Sequence, residues 1–148
     1  MAHWSVPYVG LPWLEHGLTR DGVDCWGIVR LVYAEVLGID VPDYSSRVAS
    51  LRERAEIAAI FAGATAGKPW RCTFKGEVLQ DLDVAVFRIN GIDSHAGLVV
   101  LTDAGPRMLH AARGRDTAVV SLLDPAWADR LSGVYRHAEV AERGLVAA

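Results

Sequence analysis

Cys25, His95 and His110 are residue types that together can carry acyl transfer. A thiolate is a nucleophile, and an imidazole is a base able to take its proton near neutral pH. A further polar group can hold that imidazole in the tautomer the reaction needs. Cys25 lies in Asp21-Gly22-Val23-Asp24-Cys25-Trp26-Gly27-Ile28-Val29, where a residue that caps helices directly precedes the cysteine. In a first helical turn, unpaired N–H groups and the helix dipole stabilise an anionic sulfur, so the expectation is a lowered thiol pKa. His95 follows Asp93 and Ser94 at the head of an apolar stretch, and His110 comes fifteen residues later. If residue numbers paired across that hairpin sum to 205 or 207, the two imidazoles share a sheet face, directly opposite or diagonal. The bland readings are a small buried hydrophobe for the cysteine and core or surface positions for the histidines. One Cys and two His also make a zinc ligand set with an open position, which gives a zinc hydrolase as another alternative.

The elements that must position these groups follow from hydrophobic period. Ile28, Val29, Val32 and Val36 recur on one helical face, with Asp24 as cap and Gly38 as stop. Val41-Pro42-Asp43 is a turn, and residues 47–61 form a second helix with Val48, Leu51, Ala55 and Ala58 inward. Residues 83–89 then alternate as a strand, and turn chemistry follows at 90–93. Further strands are expected over 95–101, 107–111, 117–122 and 133–140, with a short helix opened by Asp124-Pro125. The first 24 residues, rich in Gly, Pro and Trp, are an ordered but irregular lead-in. Helices followed by antiparallel strands give an α+β fold, with helices packed on one face of the sheet.

Composition narrows the function classes. The 148 residues suit one domain over 1–148, without repeats or linkers. Fifteen Lys and Arg against 18 Asp and Glu give a net charge of −3, which argues against a nucleic-acid partner. Apolar runs such as residues 97–101 fall far short of the roughly 18–20 residues that cross a bilayer, so no membrane insertion is expected. The start, Met1-Ala2-His3-Trp4-Ser5, lacks the basic-then-apolar pattern of a secretory signal, and synthesis in the cytoplasm is expected. Cys25 and Cys72 make neither a disulfide scaffold nor a paired-cysteine zinc motif, and both are expected as free thiols.

Five segments in order carry a resemblance: Gly10-Leu11-Pro12-Trp13, Asp24-Cys25-Trp26-Gly27-Ile28-Val29, Asp83-Val84-Ala85-Val86-Phe87, His95-Ala96-Gly97-Leu98 and His110-Ala111. Over residues 8–112 the chain resembles the NlpC-type cysteine peptidases, which cut bacterial cell-wall peptides. The resemblance implies a papain-like α+β domain, with Cys25 as nucleophile at a helix N-terminus, His95 as base and His110 as orienting residue. It also implies that the Cys25 N–H helps to form the oxyanion hole and that Asp24, besides capping, meets the free amine of a wall peptide. No metal and no cofactor are implied.

Two positions depart from the pattern. Trp13 stands where the family has a tyrosine whose O–H can donate to an oxyanion; an indole N–H sits elsewhere, so Trp13 is read as a wall of the substrate cleft, with core packing as the alternative. Trp26 replaces a serine and is read as narrowing that cleft or as packing under a partner. Asp24-Cys25-Trp26-Gly27 followed by Val29-Arg30-Leu31-Val32-Tyr33 resembles the members carried by tailed phages and phage-like gene transfer particles. That resemblance implies hydrolysis of peptidoglycan stem peptides at a γ-D-glutamyl-diaminopimelate type of bond. It implies delivery to the cell wall on a virion or particle tail, with tail hub or tail-tip proteins as partners. The alternative is a structural tail-tip component that keeps the fold without significant activity. His3, His16 and His137 are read as surface residues, Cys72 as core packing, and Arg113-Gly114-Arg115 as a solvated loop, with an anionic glycan or phosphate contact as its alternative.

Overall fold

In the computed structural model, residues 3–41, 70–73, 76–89 and 91–143 are described. The helix expected over 47–61 lies outside them. Asp24 begins the first helix as a cap: its backbone is extended, and its Oδ1 accepts the Gly27 N–H at 2.7 Å. Helix α1, Cys25–Val32, continues through a wider π-helical turn, Tyr33–Leu37, and stops at Gly38 in the left-handed conformation with φ +68°. Ile28, Val29 and Val32 are fully buried, as the period requires. The wide turn then shifts the phase. Tyr33 and Leu37 are buried, whereas Val36, expected on the apolar face, is 38% exposed.

The lead-in contains a small antiparallel hairpin, β1 (Leu18–Thr19) with β2 (Gly22–Val23), that its composition did not reveal. Strands of two residues carry no readable alternation. A Cβ at Gly27 would lie 1.9 Å from the Gly17 carbonyl oxygen, so only glycine lets α1 approach this hairpin. Farther upstream, the lead-in is laced to buried Thr117. Gly10 N–H donates to the Thr117 carbonyl at 2.9 Å, and Thr117 N–H donates to the Leu11 carbonyl at 2.8 Å. The Thr117 Oγ1 accepts the Leu11 N–H at 2.9 Å and donates to the Tyr8 carbonyl.

Six strands form the main sheet: β3 (Trp70–Cys72), β4 (Val84–Ile89), β5 (Ile92–Thr102), β6 (Gly105–His110), β7 (Ala118–Ser121) and β8 (Leu131–His137). Their spatial order is β3-β8-β4-β5-β6-β7, with every neighbour antiparallel. Two short helices complete the described chain, α2 (Pro125–Ala128) and α3 (Ala138–Arg143). Val140, expected at the end of the last strand, falls in α3. Helix α1 lies along β5. Its side of the sheet presents Val84, Val86, Ala96, Leu98, Val100 and Leu109. The opposite face carries Ala85, Phe87, Val99, Met108 and Val134, and Leu122 and Trp127 cover it. The sheet is therefore packed on both faces, not on one.

Asp83, just before β4, is fully buried. It accepts two hydrogen bonds from Arg136 of β8, from Nε at 2.9 Å and Nη2 at 2.8 Å, and the Gln80 N–H at 2.9 Å. Arg136 also donates to Glu77 at 2.8 Å and to the Val78 carbonyl at 2.8 Å. The pair thus locks β8 to the entry of β4. Replacing Asp83 with Ala leaves this guanidinium without its buried carboxylate, and a loss of about 3–5 kcal/mol in unfolding free energy is expected. Urea denaturation of the two proteins checks it; an unchanged midpoint contradicts the assignment.

Candidate active site

The register of β5 and β6 places Leu98 opposite Leu109 and Val99 opposite Met108, so paired numbers sum to 207. Carried one residue further, it sets Gly97 across from His110 and His95 on the diagonal of the same face. His95 Nε2 and His110 Nδ1 are 2.9 Å apart, with the rings nearly perpendicular. A Cβ on Gly97 would lie 3.3 Å from His110 Cβ and 2.6 Å from Met108 Sδ, so the missing side chain leaves the ring its room. A bulge prepares the other ring. Phe87 pairs with His95 but Arg88 pairs with Asp93, which makes Ser94 an extra residue next to His95.

Both imidazoles are buried. Burial pushes His95 down to about 3, and the neighbouring His110 adds to the shift. Burial also lowers His110. At neutral pH the pair is therefore uncharged, and each ring has one N–H and one acceptor nitrogen. If His95 Nε2–H donates to His110 Nδ1, His95 Nδ1 is left to accept a proton. The reverse arrangement leaves an N–H there.

Cys25 opens α1, is half-buried and carries a thiol, not half of a disulfide. Its sulfur lies against the backbone N–H groups of Ala96, Trp26 and Cys25 itself, all of which favour the thiolate. Burial and then the Asp24 carboxylate act the other way, and the thiol is pushed up to about 11. The helix terminus thus has the expected sign, but desolvation outweighs it. Because Ala96 follows His95, the sulfur is packed beside the strand that carries the imidazole.

Asp24 uses both carboxylate oxygens, Oδ1 for the Gly27 N–H and Oδ2 for the His16 N–H at 2.9 Å. It caps α1 and ties the 16–17 loop to it. Trp13 is half-buried, forms a parallel bridge with Val23, and has the Arg113 guanidinium carbon 5.3 Å above its ring. Arg113 comes three residues after His110, so this stack joins the lead-in to the segment leaving β6. Trp26 differs from expectation. It is buried in the core, with its ring centre 6.3 Å from that of Trp70, and so does not narrow a cleft. Its spacing to Val29 and Tyr33 on the helix's apolar face was the available signal. His137, expected at the surface, is instead buried in the core and edge-on to Trp70, and the His3 ring contacts Ser5 and Asp81. Among the described residues no group of three or more His, Cys, Asp or Glu side chains is arranged to hold a metal ion.

One aromatic neighbour escaped the sequence reading. Trp127 of α2 stacks on His95 with ring centres 5.0 Å apart and planes 24° apart. It also lies edge-on to His110 at 4.9 Å and to Phe87 at 5.3 Å. Only the helix start at Asp124-Pro125 was legible there; the contact is far apart in sequence.

Compared with known proteins, residues 10–136 match the model of the NlpC/P60 family. No curated protein matches the chain. The fold is similar to the crystal structure of the NlpC/p60 domain of peptidoglycan hydrolase SagA, with 18% identity, TM-score 0.55, and coverage of 90% of this chain and 92% of that one. It is also similar to an NlpC/P60 family protein from Bacillus cereus, with 21% identity, TM-score 0.60, and coverage of 88% and 36%. A protein from Staphylococcus aureus described as similar to lipoprotein, NLP/P60 family, gives 21% identity, TM-score 0.58, and coverage of 90% and 39%. The chain spans little more than a third of each of the last two.

The raised thiol pKa has a direct chemical consequence. Alkylation follows the thiolate fraction, so iodoacetamide should modify Cys25 at pH 7 at least about tenfold more slowly than free cysteine. The rate should still be rising at pH 10, as the thiol approaches its pKa of about 11. Mass spectrometry of the intact chain over time measures this. A rate at pH 7 above that of free cysteine contradicts it.

Proposed function

The chain belongs to the NlpC/P60 family of cysteine peptidases, and we propose that it hydrolyses peptidoglycan stem peptides with Cys25 as nucleophile, His95 as base and His110 as orienting residue. The observation that carries this reading is the 2.9 Å contact between His95 Nε2 and His110 Nδ1 beside the strand residue whose N–H meets the Cys25 sulfur. That contact occupies one nitrogen of His95, and with Nε2 as its donor Nδ1 is able to accept a proton.

The resting groups are a neutral thiol and a neutral imidazole, so the proton moves as the bond forms. Nδ1 of His95 takes the Cys25 proton while sulfur attacks the amide carbonyl. The imidazolium keeps its Nε2–H donated to His110. The N–H groups at the head of α1, that of Cys25 among them, face the developing oxyanion. His95 then returns the proton to the leaving amine, and a thioester remains. Water attacks it with His95 again as base, which frees the acid and restores the thiol. Trp13 walls the cleft without donating to the oxyanion. Asp24 retains acceptor capacity beyond its two backbone contacts, which suits the free amine of a stem peptide.

The finer reading is a γ-D-glutamyl-diaminopimelate type of bond and delivery on a phage-like tail, where the chain docks on hub or tip proteins. Residues 24–33 support it through their resemblance to the phage-borne members. The second reading is a structural tail-tip component without significant activity; Trp26 in place of the family serine and the raised Cys25 thiol favour it.

Purified sacculi incubated with the protein and its variants separate the two. The unaltered chain should release peptide fragments whose new amines, identified by mass spectrometry, name the bond. Cys25→Ala should release none, and His95→Ala should lower the rate by about 10²–10⁴-fold. Equal release by the unaltered chain and Cys25→Ala would falsify the catalytic reading. Antibody labelling of particle tails tests the delivery.

A further inference from the structure

We propose that Trp127 is a positioning residue for the His95–His110 pair: its indole face fixes the plane of the His95 ring and supports the imidazolium formed when Cys25 gives up its proton. The inference rests on the roles proposed above for Cys25 and His95. Three contacts carry it. The indole lies 24° from the His95 plane at 5.0 Å, the geometry of a stack. Its flank meets His110 nearly edge-on at 4.9 Å, so one side chain touches both partners of the imidazole hydrogen bond. Phe87, 5.3 Å from Trp127 and 6.0 Å from His95, fixes the indole and extends the aromatic enclosure.

The short segment around Trp127 is built to hold it. Asp124 Oδ1 accepts the Ala126 N–H at 2.9 Å, Pro125 sets the first turn, and Leu122 anchors the approach in the core. Beyond the helix, Arg88 N–H of β4 donates to the Arg130 carbonyl at 2.8 Å. Pro125, Ala126 and Ala128 are exposed, and Trp127 alone of α2 turns inward. The titratable group that faces His95 is His110, across their shared hydrogen bond. Phe87 and Trp127, from the other two packed segments, bring no charge. An aromatic face attracts an imidazolium more than a neutral ring, so the contact strengthens as the proton arrives. It acts on the chemical step more than on substrate binding.

A merely space-filling role is separable from this one. Trp127→Leu keeps an apolar filler and removes the π face, whereas Trp127→Phe keeps a smaller face. Trp127→Met serves as a second filler if the Leu variant does not fold. On sacculus-derived peptides, Leu or Met should lower kcat about tenfold with KM little changed, and Phe should retain most of kcat. Independently of hydrolysis, ¹⁵N spectra of the unaltered protein should show His95 Nε2 protonated and Nδ1 bare. In the Leu or Met variant those signals should average as tautomers exchange, and in the Phe variant they should not. A folded Leu or Met variant with unaltered kcat and unaltered imidazole signals overturns the proposal, as does a Phe variant impaired as much as Leu. If the unaltered chain hydrolyses nothing while its imidazole signals still respond as described, the peptidase reading fails and the positioning stands.

Discussion

Two buried imidazoles that satisfy each other impose the geometry of this molecule. A neutral ring has one donor and one acceptor nitrogen, and a buried nitrogen without a partner is costly. The 2.9 Å contact of His95 with His110 meets that demand only if β5 and β6 hold the register that sums to 207. A slip of one residue would send one ring to the opposite face. The two-residue turn at Asp103-Ala104 fixes the register, Gly97 leaves space opposite His110, and the bulge at Ser94 ends the regular pairing just before His95. Sheet, turn and bulge are therefore conditions of one hydrogen bond.

The head of α1 shows a contest between opposed effects. Backbone N–H groups draw charge onto the Cys25 sulfur, while burial and Asp24 oppose it, and burial is the largest influence. Asp24 cannot be relieved of its part, because its carboxylate holds both the helix start and the 16–17 loop. The residue that organises the backbone at Cys25 thus also restrains the ionisation of its thiol. The surroundings favour a neutral thiol and neutral imidazoles, as opposed to a preformed ion pair.

Local signals made much of this legible. Asp24 and Gly38 bracket a helix by cap and stop, and Cys25 follows directly from the first. The diagonal pairing of His95 with His110 was accessible because a short hairpin leaves few registers. Legibility ended where the physics ceased to be local. The π-helical turn broke the 3.6-residue period and exchanged Val36 for Leu37. Trp26 was read by its neighbour in sequence, although its helical spacing to Val29 and Tyr33 pointed inward. The thiol's pKa depends on how deeply the helix head is packed, and Trp127 reaches the imidazoles from a segment that carries no motif.

Thr117 offers a different lesson. Its backbone and hydroxyl knit Tyr8, Gly10 and Leu11 to the chain just before β7, and Arg113 in the same connection sits over Trp13. Connections between strands usually tolerate insertions well, since lengthening a loop adds little closure entropy. Here residues 111–117 behave as a spacer of set length. An added residue would drag the tethered lead-in and its tryptophan out of line, so diversity in this lineage should accumulate in other connections before this one.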